Sequence, residues 1–212
     1  MDNLNNKTSI NYSGNIKLTT YIGNKVYEQK CYHNKGALAL YRFLANCLAG
    51  NFPAAYHLRP FQIRLLSYDD ADDANAPPAG FRVNPATLNR ITPVTTFINL
   101  SAAPEITYRT SDNTCGCSVS FSFMFPYDSL GTTDKGANIV AIYGPGISDS
   151  AIGDFCAYYL LTRTMNTTDA DGNNTTVEVW DPIIKDIDEE ETNKIFAVEW
   201  TMNLNNKIET AR

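Results

Sequence analysis

Cys115-Gly116-Cys117 is the most metal-like spacing in the chain. Two thiols two residues apart on an extended strand point the same way. Cys31 and His33 share that spacing, so a Cys-x-His plus Cys-x-Cys zinc site can be drawn. Structural zinc pairs, however, usually sit on a knuckle turn rather than on a flat strand. The plainer reading is that these cysteines fill strand-face space as small hydrophobes. A second candidate surrounds Gly172. With Gly172 in the sixth place of a calcium loop, Asp169, Asp171 and Glu178 take the third, fifth and twelfth places. Thr167 stands where the first acid belongs, and the flanks read as strands instead of helices. An Asp-Gly hairpin turn explains the segment more simply. The acidic run containing Asp69, Asp70, Asp72 and Asp73 could hold a cation or a basic partner, but reads first as a solvated loop.

Covalent chemistry lacks its parts. His33 and His57 are the only histidines, and no Gly-x-Ser-x-Gly elbow occurs. Gly144-Pro145-Gly146 carries a proline where a phosphate nest needs an amide. Tyr158 and Tyr159 could form a sugar-binding platform, although aromatics of a β protein more often belong to its core. The expectation is a protein that is not an enzyme, with no cofactor and no catalytic residue.

The elements that would carry these residues are strands. Phe196, Val198, Trp200, Met202 and Leu204 alternate with Ala197, Glu199, Thr201 and Asn203, the pattern of a half-buried strand. Val119, Phe121, Phe123 and Phe125 alternate with serines in the same way. Ile16 to Ile22 and Lys25 to Cys31 predict a hairpin turning at Gly23-Asn24, and strands 16–22 and 196–204 suit neighbouring places in one sheet. Further strands are predicted at 61–65, 95–100, 105–110, 139–143, 155–163 and 177–180. One amphipathic helix is predicted at about 36–49. Asn34 would cap it, Gly50 would follow its end, and Ala37, Leu40, Tyr41, Leu44 and Leu48 would form its apolar face. The expected fold is therefore mainly β, an antiparallel β-sandwich of jelly-roll or Ig-like kind or an open barrel. Its expected organisation is a polar N-terminal arm at 1–14 and one domain at 15–212, with long loops at 66–93 and 126–138.

The chain has 212 residues, 43% of them hydrophobic, enough for one sizeable core. A formal net charge of -6 argues against direct nucleic-acid readout and suits protein partners. The polar start predicts no secretion signal, and no apolar run predicts a membrane span. The five cysteines suggest no disulfide framework and point to a reducing cytoplasm.

Two segments carry a resemblance. His33-Asn34-Lys35-Gly36 leads to Phe43-Leu44-Ala45-Asn46-Cys47-Leu48-Ala49-Gly50-Asn51 and then Arg59-Pro60-Phe61-Gln62-Ile63-Arg64-Leu65. At the other end stands Val198-Glu199-Trp200-Thr201-Met202-Asn203-Leu204-Asn205. Together they resemble small virion proteins of crAss-like tailed bacteriophages of gut Bacteroidetes. The resemblance implies a structural subunit in a tail or collar ring, or a head fibre, fibre base or capsid decoration protein. It implies partnership with copies of itself and with other virion proteins, portal, tail or capsid components, assembled in the host cytoplasm. It carries no binding residues over. A carbohydrate- or host-surface-binding module is the alternative expectation.

Overall fold

A computed structural model describes residues 7–33, 35–36, 41, 44–46, 49–50, 61–69, 76–77, 81–111, 114–130, 136–144, 152–184 and 194–209. The first half holds β1 (Lys7–Ile22), β2 (Lys25–His33), β3 (Lys35–Gly36), β4 (Gln62–Tyr68), the single helical turn α1 (Pro85–Leu88), β5 (Ile91–Pro93) and β6 (Ile98–Asn99). The second holds β7 (Glu105–Ser111), β8 (Thr114–Pro126), a 3-10 turn at Tyr127–Leu130, β9 (Ile139–Tyr143), β10 (Phe155–Leu160), β11 (Thr162–Thr168), β12 (Asn174–Trp180) and β13 (Lys194–Glu209). The protein is mainly β, and all its strand pairs are antiparallel among the described residues.

A five-stranded sheet runs β2-β1-β13-β8-β7. β1 and β13 pair along their whole length, so the first and last strands are neighbours as their patterns predict. Register follows from the period of two: Ile16 meets Trp200, which meets Phe121, and Leu18 meets Val198, which meets Phe123. A one-residue slip would turn this apolar row to the polar face. The second sheet runs β3-β10-β9-β4-β5, with β6 beside β4. Ile63, Leu65, Val140, Ile142 and Tyr159 of that sheet share one core with Ile16, Phe121, Phe123, Val198 and Trp200 of the first. The two sheets thus contribute side chains to one common apolar core. Each large side chain sealed there contributes about 1.5–3 kcal/mol.

Every residue of β9 and β10 is buried. Their second face carries Ile139, Ala141, Tyr143, Phe155, Tyr158 and Leu160, under a cover of Phe81, Ile91, Leu88, Phe97 and Trp180. The prolines of this cover are consistent with its geometry. Pro85 opens α1 behind an Asn84–Thr87 capping box, and the following segment is strapped to β4 through Leu65 N–H to Thr95 Oγ1 (3.1 Å) and Arg64 Nε to the Thr95 carbonyl (2.8 Å). The Arg64 guanidinium lies 4.7 Å from the Phe97 ring centre.

Several boundaries differ from expectation. Lys7 to Gly14 of the expected arm is strand, paired with Met202 to Glu209, because the long β13 offers backbone partners whatever the side chains. The helix does not begin at 36: Lys35 and Gly36 pair with Tyr158 and Ala157 at the edge of β10. Helical backbone is found at Tyr41 and at 44–46, and Gly50 has the left-handed φ of 69° expected after a helix end. Leu44 packs on the core, whereas Tyr41 is exposed. Asn34, Ala37, Leu40 and Leu48 lie outside the described residues. Residues 66–68 and 91–93 of the expected loop 66–93 are strand, and 127–130 of the loop 126–138 is a 3-10 turn. The strand expected at 155–163 breaks at Leu161, and that at 95–100 shrinks to Ile98–Asn99 plus a bridge from Leu100 to Phe123.

Candidate interaction surface

The sheet order separates the cysteines of the drawn zinc site. Cys31 lies opposite Lys17 on β1, whereas Cys117 lies opposite Leu204 on β13. In the five-stranded sheet β1 and β13 stand between their strands, a separation of roughly 14 Å at about 4.8 Å per strand. Their parities also differ: Lys17 shares its rung with Glu199 on the polar face, while Leu204 shares the parity of Trp200 and Met202 on the apolar one. Four-ligand coordination by these residues is therefore not assembled. The side chains of His33 and Cys115 lie outside the described residues, as does His57.

The calcium candidates part for a similar reason. Asp169 sits at the tip of the β11–β12 hairpin, where its carboxylate accepts Asn173 N–H at 2.8 Å and Asp171 N–H at 3.0 Å. These bonds, with the one from Asn173 foremost, hold its carboxyl below the usual carboxylate range despite some desolvation. Gly172 supplies the positive φ of 83° that the turn needs. Glu178 lies down the hairpin opposite Thr164, and takes a hydrogen bond from the Thr162 hydroxyl at 2.6 Å. Asp169 is thus a turn former, and no group of three His, Cys, Asp or Glu that could hold a metal occurs among the described residues. Of the acidic run, Asp69 is described, with its backbone N–H bonded to the Arg90 carbonyl. Asp70, Asp72 and Asp73 lie outside.

Tyr158 and Tyr159 are buried on opposite faces of β10 and offer no sugar platform. Tyr158 packs edge-on against Phe81 and Phe155. Tyr159 packs edge-on against Trp200 and donates its hydroxyl to the Gly14 carbonyl at 2.9 Å.

The charged cluster that forms instead was not foreseen. Lys30 Nζ lies 2.5 Å from Asp181 Oδ2 and 3.2 Å from Glu28 Oε1, beside a cavity of about 200 Å³ bounded by Tyr27, Tyr32 and Ile184. Burial lowers the Lys30 pKa, but the bonds to Asp181 and Glu28 outweigh it and the net shift is upward. Burial, reinforced by the Asp181 and Glu28 charges, also raises the Tyr32 phenol. The Lys30 ammonium ties β2 to the segment after β12, and both it and the Tyr32 phenol, held protonated, are poor bases at neutral pH. Lys30 and Asp181 stand 151 positions apart, so no local spacing could announce them.

What the surface presents is bare strand. The outer face of the five-stranded sheet is polar, knitted by Lys17–Glu199 (3.1 Å), Ser120–Thr201 (3.1 Å) and Gln29–Thr19 (3.2 Å). At its two edges Val26 and Tyr27 of β2 and Ile106 and Tyr108 of β7 are exposed. The β11–β12 hairpin forms a separate two-stranded sheet, where exposed Met165 stands opposite exposed Val177. No helix among the described residues is long and apolar enough to cross a membrane. Comparison with protein-family models, curated proteins and solved structures finds no match.

Proposed function

We propose that this chain is a non-enzymatic structural subunit that works through its interfaces, forming a symmetric homo-oligomer in a bacteriophage virion, in its tail or collar assembly. The observation that carries the interface reading is the β11–β12 hairpin. It pairs with neither large sheet among the described residues, and most of its residues are exposed. A two-stranded hairpin alone is marginal in water. Covering the Met165–Val177 pair on a neighbour would bury apolar surface at about 25 cal/mol per Å². The polar outer sheet face and the negative net charge keep such a subunit soluble before assembly. Placement in a phage particle rests on the resemblance of residues 33–65 and 198–205 to crAss-like virion proteins.

Mass photometry and negative-stain microscopy of the purified chain test the subunit reading. The expected result is a closed homo-oligomer. A strict monomer at every concentration would count against it. Antibody labelling of phage particles tests the location, and label absent from tail, collar and head would remove the virion assignment.

A further inference from the structure

We propose that β7 is a self-complementary edge through which two copies of this chain join their five-stranded sheets into one. This deepens the subunit reading above by naming the contact and its occupant, a second copy. β7 ends the sheet, and Glu105 to Thr110 are exposed along their whole length. Ile106 is 55% and Tyr108 77% exposed, large apolar groups on a bare strand edge. Such an edge is a template for another strand, and soluble monomers usually blunt it.

The sequence of β7 says which strand fits. An antiparallel copy centred on Thr107 places Glu105 opposite Arg109, Ile106 opposite Tyr108, and Thr107 opposite itself. By two-fold symmetry each pair occurs twice. Both apolar pairs fall on one face, beside Val119 and Cys117 of β8, and both ion pairs fall on the other, beside Ser120 and Gly116. Centring on Tyr108 would set Arg109 against Thr107 and Glu105 against Ser111, with no charge matched. Centring on Ile106 would set Tyr108 against Pro104. The two charges are available for this role, since neither Glu105 nor Arg109 makes an ion pair among the described residues.

The opposite edge is differently placed. On β2 the charges of Lys30 and Glu28 already meet each other, and Lys30 meets Asp181 as well. A register shift between Thr20 and Tyr21 also disturbs the β1–β2 ladder, an irregularity of the kind that turns edges away from partners.

Sedimentation equilibrium over a concentration series reads the contact. The expected result for the natural chain is a concentration-dependent association. Glu105→Arg turns two attractive cross-strand pairs into two repulsive ones, and should weaken this step about 30-fold. Arg109→Glu should do the same, so a folding defect in one variant does not decide the outcome. The double variant E105R/R109E restores opposite charges in the same register, and should restore association. An oligomer unchanged by both single reversals would reject β7 as the contact and leave the subunit reading standing. A chain that never associates would reject both. Failure of the folded double variant to recover would reject the Thr107-centred register.

Discussion

Replacing Asn138 by leucine probes how the buried second sheet ends. Asn138 precedes β9 and is buried. Its side-chain oxygen accepts Tyr68 N–H at 2.7 Å, and its side-chain nitrogen donates to the Tyr68 carbonyl at 2.9 Å. Its own backbone N–H reaches the Leu66 carbonyl at 3.0 Å, and its carbonyl accepts Leu161 N–H at 2.8 Å. One amide group therefore supplies the rung that β4 would otherwise lack at Tyr68. Leucine has a similar volume and no polar atoms, so it strands two buried backbone groups. At about 1–3 kcal/mol for each group left unsatisfied, the loss is about 2–6 kcal/mol. Some is returned by burying the leucine, leaving about 3 kcal/mol against a typical total of about 5–15. Urea unfolding followed by tryptophan fluorescence measures this, with a midpoint expected to fall by about 1.5 M at a slope near 2 kcal/mol per M. A loss below about 1 kcal/mol would refute the reasoning, because Tyr68 would then have other partners. Asn138→Asp sharpens the test. Its carboxylate keeps the acceptor but turns a charge on the Tyr68 carbonyl, so its folded pKa should rise above the unfolded value near 3.9. The penalty is then full above the folded pKa and disappears below the unfolded one, where the protonated acid donates as the amide did. A flat pH profile between these limits would count against the geometry.

Cys156 is buried, and burial pushes its thiol up to about 12 against a partly opposing backbone bond from Gly144. Alkylation with mass mapping should therefore find Cys156 protected until unfolding while exposed Cys31 reacts in the native protein. The lowered carboxyl of Asp169 stabilises its hairpin above the unfolded pKa, and that contribution is lost as pH falls through the folded pKa. Amide resonances of Asp171 and Asn173 should report the loss, and Asp169→Ala should remove it at every pH. Gly136→Ala should destabilise by about 1–3 kcal/mol through overpacking. Its new Cβ would meet Ile184 Cγ1 at 2.8 Å and Pro182 Cβ at 2.9 Å beside the Ala137–Ile183 bridge. Thermal unfolding checks this, and an unchanged midpoint would show that the 182–184 segment yields freely.

The candidate chemistry was the least legible part of the chain. Two-residue spacing brought Cys115-Gly116-Cys117 and Cys31 with His33 to notice, but coordination depends on which strands adjoin, and β1 and β13 separate those strands. The Asp-Gly turn at 171–172 was readable because turn chemistry is local. The Lys30–Asp181 clamp and the Asn138–Tyr68 rung join residues far apart in the chain and leave no local trace. Most of the cover at 81–97 lay in the expected loop 66–93, and its burial of Phe81 and Ile91 depended on a second apolar face of β9 and β10. A signal for that face was present: the run Ile139–Tyr143 is wholly apolar and not alternating, as in strands covered on both sides.

The period of two in Phe196 to Leu204 and in Val119 to Phe125 determined by itself which side chains would share a face, because a strand turns its neighbours to opposite sides. That was enough for a mainly β, antiparallel protein and for the partnership of its first and last strands. Which faces met, how β9 and β10 came to be covered twice, and which edge was left bare were decided only in three dimensions. Burial and edge exposure depend on elements distant in the chain, whereas alternation is fixed by the residues next door.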